Sequence, residues 1–198
     1  MKLILIRHGK TEASLKRQYC GITDLPLCEE GMVEINSLIK EGIYESLKPE
    51  MFFTSGLARA TQTLEMIFPG CEYARIEALR EMNFGKFEMF THDELTGDKD
   101  YIKFIEDTTG DFVCPGGESA NAFYKRVDEG IIRLLNEVKS SGAESAVLVS
   151  HGGPISRFIQ KYTVEPNYYE AQPAQGRGYL IELNFEKGSV SVLSKAKI

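Results

Sequence analysis

The chain has 198 residues, 42% of them hydrophobic and 26% charged, and its formal net charge is −6. This length and composition predict a single globular domain over residues 1–198. The acidic balance excludes the broad basic surface of a general nucleic-acid-binding protein. The N-terminal apolar run is too short for a signal peptide, and no apolar segment approaches the roughly 20 residues of a membrane span. We therefore expect a cytoplasmic protein with no membrane or nucleic-acid partner.

Apolar periodicity predicts six strands that alternate with helices. The strands are predicted at residues 3–6, 51–53, 73–76, 146–149, 179–185 and 189–194, the last two joined by a turn at Lys187-Gly188. The helices are predicted at residues 29–47, from a cap at Thr54 or Ser55 to Pro69, around 95–105, at 119–139 and at 154–162. This alternation predicts an α/β fold with a mostly parallel central sheet and helices on both faces. Residues 10–28 are expected to be a loop, and residues 85–118 a lid-like insertion.

The four cysteines are widely spaced and form no C-x-x-C pair. In a reducing compartment, Cys20, Cys28, Cys71 and Cys114 are expected to be free thiols. A zinc site formed by Cys20, Cys28 and a histidine is the alternative, but this spacing does not match the common ligand arrangements. We expect neither a metal nor a cofactor.

Two of the three histidines lie two residues beyond the ends of predicted buried strands. His8 comes after the first strand in Arg7-His8-Gly9, and His151 follows residues 146–149 in the same context. Open parallel sheets bind ligands at the carboxyl ends of their strands. The sequence therefore predicts a site at this edge with two imidazoles and an arginine, a combination that suits a phosphoryl group.

Cleavage of a phosphomonoester needs groups that grip the dianion, attack phosphorus and protonate the leaving oxygen. Arginine binds phosphate through a planar fork, and Arg7 and Arg59 both follow predicted strands. A neutral imidazole such as that of His8 is a competent nucleophile. Glu81 lies in the loop after the third predicted strand and can supply the proton.

Three other carboxylates are alternatives for the acid on sequence position alone. Asp24, Glu77 and Glu88 lie in neighbouring irregular segments. His92, in the predicted lid, is interpreted as an exposed residue, with a substrate contact as the alternative.

Five sequence blocks occur in the order typical of a known family. They are R-H-G-K-T at 7–11, S-G-L-A-R-A-T-Q-T at 55–63, L-R-E-M-N-F-G-K-F-E at 79–88, P-G-G-E-S at 115–119 and S-H-G-G at 150–153. With these blocks the chain resembles the histidine phosphatase superfamily, in its phosphoglycerate mutase-like branch. One such block is a weak signal, whereas five in order over the whole chain are highly specific.

The resemblance implies a role for each matched residue. His8 would be the nucleophile that carries the phosphoryl group, and Arg7 and Arg59 would clamp the phosphoryl oxygens. His151 would flank the phosphate and stabilise the transition state. Glu81 would act as the general acid and then as the base that activates water.

The resemblance also implies that no metal is required, because the arginines and an imidazole supply the positive charge. It further implies which residues line the pocket. Ser14, Cys20, Gly21 and the backbone at Gly152 would line this pocket. Two positions depart from the family pattern, since many relatives have an acidic residue in place of Lys10 and asparagine in place of Ser14.

Glycolytic mutases of the family carry arginine and tyrosine after the acid, and paired arginines in an inserted segment. Here Met82-Asn83-Phe84 follows Glu81, and residues 85–118 contain no Arg-Arg pair. The pattern is closer to phosphatases that act on broad phosphomonoesters or on α-ribazole phosphate, so a small phosphate ester is the expected partner. A phosphoglycerate mutase, or an inactive domain of this fold that binds a phospholigand, remains the alternative.

Overall fold

The computed structural model describes residues 1–163, 167–168, 170–186 and 189–198. Its centre is a six-stranded sheet with the order β3-β2-β4-β1-β5-β6. The strands are β1 Lys2–Arg7, β2 Met51–Thr54, β3 Ala74–Arg75, β4 Ser145–Ser150, β5 Gly178–Glu186 and β6 Ser189–Lys197. Strands β1 to β4 are mutually parallel, whereas β5 runs antiparallel to both β1 and β6. The predicted α/β fold with a mostly parallel sheet is confirmed, and the predicted turn at Lys187-Gly188 lies outside the described residues.

Seven α-helices are present in the described residues. They are α1 Glu12–Leu15, α2 Glu29–Lys40, α3 Ala58–Ile67, α4 His92–Leu95, α5 Lys99–Glu106, α6 Ala120–Ser141 and α7 Gly152–Tyr162. Among the same residues, no helix combines the length and apolar character needed to cross a membrane.

Helices cover both faces of the sheet because successive side chains of β1 and β4 point to opposite faces. On one face, Leu3, Leu5 and Leu148 belong to a core with α6 and α7. On the other face, Ile4, Ile6, Val147 and Val149 belong to a core with residues of α2 and α3, including Ile35, Leu38, Ala60 and Leu64. This double coverage explains why β4 is buried along its whole length.

The predicted helix at 29–47 is wrong at its C-terminal end. Helix α2 ends at Lys40, and Gly42 adopts φ +75° just beyond it. The Gly42 amide donates to Ile39 O at 3.0 Å, which closes the helix as a left-handed glycine commonly does. Tyr44 and Leu47 remain buried although they lie beyond the helix, so the apolar pattern continued past the point where the helix stops.

The predicted cap of α3 is also wrong. The residue at the cap position is Leu57, which makes no capping bond through its side chain. The Asp24 carboxylate from the preceding loop accepts a 2.7 Å hydrogen bond from the Ala58 amide in its place. A carboxylate at this position also interacts favourably with the helix dipole.

The predicted loop at 10–28 and the insertion at 85–118 contain more helix than expected. The loop includes α1, whose first turn is closed by a capping box between Thr11 and Ser14. The insertion contains α4 and α5 in place of one helix around 95–105, because Asp98 caps a new helix with bonds to two amides. The action of the insertion as a lid, and the extent of one domain over 1–198, remain predictions.

Candidate active site

The ends of β1 and β4 bring the two strand-end histidines together. Arg7 pairs in register with Ser150, and the His8 amide donates to Ser150 O at 2.9 Å. The rings of His8 and His151 therefore lie edge to face, with centroids 5.0 Å apart and planes at 61°. Both side chains are buried, at 8% and 0% exposure.

The hydrogen bonds of His8 show which ring nitrogen is protonated and which one carries the lone pair. Its Nδ1 lies 2.7 Å from Gly9 O, and since a carbonyl oxygen can only accept, Nδ1 carries the proton. Arg59 Nε donates to Nε2 at 3.3 Å, so Nε2 carries the lone pair. Burial, together with the charges of Arg59 and Arg7, lowers the pKa of His8 well below its usual value. His8 is therefore a neutral imidazole whose lone pair is on Nε2.

Arg59 is fixed in place before any ligand binds. It is 1% exposed, and it donates to Thr23 O at 2.8 Å and to Gly21 O at 2.6 Å. The Thr63 hydroxyl links Arg59 to the R-H-G-K-T block, because it donates to Arg59 O at 2.7 Å and accepts from Gly9 N at 3.0 Å. A guanidinium held in this way needs little reorganisation when charge develops beside it.

Arg7 has donor capacity left for a ligand. Its Nη1 donates to Pro173 O at 3.0 Å, whereas its buried Nε has no hydrogen-bond partner within the described part of the chain. Burial lowers the pKa of Arg7, and the nearby Glu81 charge opposes this shift. A Cβ on Gly152 would lie 3.4 Å from Arg7 Cζ and 2.9 Å from Gln172 Oε1. Glycine at 152 therefore allows the guanidinium to lie close to the backbone.

His151 occupies the cap position of α7 and has one free ring nitrogen. Its Nε2 lies 2.7 Å from Ser55 Oγ, and its buried Nδ1 has no partner among the described residues. Burial, followed by the charges of Arg59 and Arg7, lowers the pKa of His151 well below its usual value. Because α7 starts at this point, its N-terminal dipole also favours an anion here.

The carboxylate of Glu81 is held by two backbone amides. Oε1 accepts from Met82 N at 3.0 Å, and Oε2 accepts from Gly153 N at 2.9 Å. A Cβ on Gly153 would overlap Glu81 Oε1 and lie 2.8 Å from Phe123 Cζ. The second glycine of the S-H-G-G block therefore leaves room for this carboxylate.

The three alternative acids have other partners. Asp24 accepts from Ala58 N, and exposed Glu77 pairs with Arg80 at 3.3 Å. Glu88 accepts from the amides of Ile22, Thr23 and Phe84 and from the Thr23 hydroxyl. Of these four carboxylates, Glu81 is the one that lines the cavity described below.

The predicted pocket-lining residues differ in what they offer a ligand. Ser14 and Cys20 line the cavity, but the Ser14 hydroxyl donates to Thr11 O and accepts from Thr11 N, each at 2.7 Å. The Cys20 thiol has a pKa raised by burial and contacts Thr23 O at 3.7 Å. Gly21 contributes its carbonyl to Arg59, and a Cβ there would overlap Met82 O.

Lys10 and Cys28 contact the N-terminal part of helix α2. Lys10 pairs with Glu30 at 3.1 Å and Glu34 at 3.5 Å, so this departure from the family pattern is an exposed ion pair. Cys28 accepts from Gly31 N at 3.4 Å as the cap of α2. Among the described residues, no three His, Cys, Asp or Glu side chains form a group that could hold a metal.

A cavity of about 640 Å³ is lined by four of the five catalytic candidates, Arg7, His8, Arg59 and Glu81. His151 is fully buried beside the ring of His8. Among its described lining residues, the cationic side chains are Arg7 and Arg59. Much of the wall is aromatic, formed by Tyr19, Phe84, Phe104, Phe112, Phe123, Tyr124 and Tyr168. Sequence reasoning missed this wall, and also Ser55 as the partner of His151, because single aromatic or serine residues have no pattern that separates a cavity from a core.

Fold and site together define an α/β protein with a buried, neutral histidine beside two arginines at a sheet edge. Comparison with known proteins identifies the family, since the model of the histidine phosphatase superfamily (branch 1) matches residues 3–196. The chain belongs to this superfamily, which confirms the resemblance seen in the sequence.

Similar proteins include both phosphatases and a mutase. The adenosylcobalamin/α-ribazole phosphatase of Salmonella typhimurium is 30% identical over 173 residues, 84% of this chain and 81% of the relative. The crystal structure of α-ribazole phosphatase from Shigella flexneri has a TM-score of 0.82 at 27% identity, covering 97% of this chain and 94% of that one. A phosphoglycerate mutase structure from Thermus thermophilus has a TM-score of 0.69 at 29% identity, with 98% of each chain covered.

Proposed function

We propose that this protein is a metal-independent phosphomonoesterase that works through a phosphohistidine intermediate on His8. The observation that carries the proposal is the state of His8, a buried neutral imidazole with the Nε2 lone pair beside two arginines. Membership of the histidine phosphatase superfamily and the phosphatase relatives support the same chemistry.

In the first step, the Nε2 lone pair of His8 attacks phosphorus and the ester P–O bond breaks. Glu81, in its protonated form, gives its proton to the leaving oxygen as the alcohol departs. Arg7, Arg59 and His151 stabilise the charge on the equatorial oxygens of the transferring group.

In the second step, the Glu81 carboxylate takes a proton from water as the water oxygen attacks phosphorus. The P–N bond breaks, its electron pair returns to Nε2, and inorganic phosphate leaves. Glu81 is then protonated and ready for the next ester, so the cycle closes without another reactant.

The cationic side chains in the cavity favour hydrolysis over a mutase reaction. A phosphoglycerate carries a carboxylate as well as its phosphate, and a mutase must hold both while it excludes water. Arg7 and Arg59 suffice for one phosphoryl group, and the described lining contains no other cation for a second anion. We therefore propose a phosphomonoester with an uncharged organic group, for which the aromatic wall is suited.

The named substrate of the relatives, α-ribazole phosphate, is the first specific ester to test. The same proposal includes a cytoplasmic location and no nucleic-acid partner, supported by the four free thiols and the net charge of −6.

The test is phosphate release in EDTA from a panel that contains nitrophenyl phosphate, α-ribazole phosphate and 3-phosphoglycerate, with His8→Ala as the control. We expect release by the native enzyme and none by His8→Ala. Conversion of 3- to 2-phosphoglycerate with bisphosphoglycerate present, without phosphate release, would instead identify a mutase. No turnover in either assay would favour the inactive phospholigand-binding alternative.

A further inference from the structure

The P-G-G-E-S block at 115–119 takes no part in the proposed chemistry, yet it lies against the loop that carries Glu81. The Glu118 amide donates to Asn83 O at 3.0 Å, and the Glu118 carboxylate accepts from Asn83 N at 2.8 Å. A Cβ on Gly117 would overlap Asn83 O, so glycine is needed for this close backbone contact. The block therefore holds the chain two residues after Glu81.

Arg126 of α6 holds the other side of the same loop. Its Nη1 donates to Ala78 O at 2.9 Å and to Arg80 O at 3.1 Å, and its Nη2 donates to Glu81 O at 3.2 Å. Arg126 thus binds three main-chain carbonyls of this loop, and the last of them belongs to Glu81 itself.

Arg126 and Glu118 also bind each other. Arg126 Nη2 donates to Glu118 Oε1 at 2.5 Å and Nε donates to Oε2 at 3.2 Å, a two-point contact between side chains that are 28% and 17% exposed. The pair therefore forms one unit that grips the loop on both sides of Glu81. Lysine has no planar fork and cannot reproduce this set of bonds.

We propose that Arg126 and Glu118 are positioning residues that aim the Glu81 carboxylate at the leaving oxygen. Both bonds of that carboxylate go to backbone amides, at Met82 and Gly153, so its position depends on where the main chain lies. Release of the grip would let the acid move without altering His8, Arg7 or Arg59. This inference rests on the proposed function, because it concerns the acid of that reaction.

A positioning role has a kinetic signature that a general loss of structure lacks. An alkyl phosphate needs the acid because its leaving group is a poor one, whereas nitrophenolate leaves with little protonation. Misplacement of a catalytic group by about 1 Å costs on the order of 100-fold. We expect Arg126→Lys to lower kcat/KM, which reports ester cleavage and not the later hydrolysis of phosphohistidine, about 100-fold for an alkyl phosphate and less than about threefold for nitrophenyl phosphate.

Lysine retains the charge of Arg126, which contributes to the lowered pKa of His151. The variant therefore separates the geometry of the fork from its electrostatic effect. Glu118→Gln supplies a second variant, with a smaller change in the same direction, because glutamine can still accept from Asn83 N.

The matched control is Arg157→Lys on the neighbouring helix α7. Arg157 makes an equivalent two-point contact with Asp128 of α6, at 2.9 and 2.8 Å, with similar side-chain exposures of 25% and 20%. Its described hydrogen bonds do not include the Glu81 loop. We expect Arg157→Lys to leave the ratio of the two kcat/KM values unchanged, even if both variants lower the melting temperature.

The double variant Arg126→Lys/Glu81→Gln tests whether both residues act through the same proton transfer. We expect no further fall in the ratio of the two kcat/KM values beyond that of Glu81→Gln alone. Equal losses for both esters in Arg126→Lys, the same ratio change in Arg157→Lys, or full additivity would overturn the inference and leave the proposed function intact. Absence of hydrolysis by the native enzyme, or a Glu81→Gln variant that does not discriminate between the esters, would overturn both.

Discussion

Arg59 Nε donates a 3.3 Å hydrogen bond to Nε2 of His8, the ring nitrogen that carries the lone pair. The guanidinium is anchored by the Gly21 and Thr23 carbonyls, so cation and nucleophile are fixed relative to each other before a substrate arrives. When a phosphate ester binds, a phosphoryl oxygen can accept the Nε–H of Arg59 in place of His8, while the guanidinium stays anchored and Nε2 attacks phosphorus. Substitution of Arg59 therefore tests the fixed geometry of the guanidinium as well as its charge.

We predict that Arg59→Lys lowers kcat for nitrophenyl phosphate by about 100-fold or more, because the charge remains but the fork and its anchors are lost. Lys10→Ala is the control, since Lys10 lies only three residues from Arg7 yet pairs with Glu30 and Glu34. The activity of Lys10→Ala should be close to that of the native enzyme. A fully active Arg59→Lys enzyme would contradict the clamp assigned to this residue.

Glu81→Gln should slow esters with poor leaving groups far more than nitrophenyl phosphate. As general acid, Glu81 contributes about 10²- to 10⁴-fold where the leaving oxygen needs a proton. The values of kcat/KM for an alkyl and a nitrophenyl ester measure the difference, because kcat/KM reports ester cleavage and excludes the later hydrolysis of phosphohistidine, in which Glu81 also acts. Equal losses for the two esters would exclude Glu81 as the acid.

Gly153→Ala should reproduce the same kinetic pattern without altering any titratable group. The new Cβ would overlap Glu81 Oε1, so the carboxylate must move away from its amide partner. Gly97→Ala is a suitable control, because a Cβ there meets nothing within 4 Å. A Gly153→Ala enzyme that hydrolyses alkyl esters normally would show that this contact does not position the acid.

Glu88→Gln should weaken substrate binding. Its carboxylate accepts from the amides of Ile22 and Thr23, and so holds the loop whose carbonyls anchor Arg59. Hydrogen bonds to a charged group contribute about 1.5–3 kcal/mol, so we expect KM to rise roughly tenfold or more. Asp93→Asn, at an exposed carboxylate of α4, serves as the control. An unchanged KM in Glu88→Gln would argue against this support of the loop.

The buried histidines should make the protein less stable as pH falls through about 6.5, the pKa of an unfolded histidine. Below that value the unfolded chain binds protons at His8 and His151, whereas the folded chain, with both pKa values well lowered, does not. The free energy of unfolding therefore falls with decreasing pH, by about 1.4 kcal/mol per histidine at one unit below 6.5.

Denaturant titrations between about pH 7.5 and 5.5 measure this effect, because carboxylates such as Asp107, with a pKa of about 2, titrate at lower pH. His8→Asn should remove about half of the slope. A slope that is equal in native protein and variant would contradict the neutral state assigned to His8.

The sequence could predict the strand-end residues because their position follows from few rules. His8 and His151 end apolar runs of β-branched and aliphatic residues, and parallel strands present their carboxyl ends at one edge. The block pattern then added Arg59 and Glu81. The structure brings His8, Arg59 and Glu81 to one cavity, together with Arg7, and places the ring of His151 5.0 Å from that of His8.

Other features depend on contacts between segments that are distant in the chain. The grip of Arg126 on the Glu81 loop joins residues 45 to 48 positions apart, and an arginine in an amphipathic helix gives no sign of such partners. The true end of α2 was missed because Tyr44 and Leu47 keep the apolar spacing while Gly42 ends the helix. The spacing of apolar residues indicates which side chains are buried, but it does not indicate the backbone conformation that buries them.

The covalent intermediate is the most direct test of the account. The Glu81→Gln variant, mixed with nitrophenyl phosphate and quenched in alkali, should accumulate a phosphoryl group because the activation of water is impaired. Mass spectrometry of its peptides should locate that group on His8, and nuclear magnetic resonance should assign it to Nε2. Turnover with no phosphorylated His8, or with the group on another residue, would contradict the mechanism.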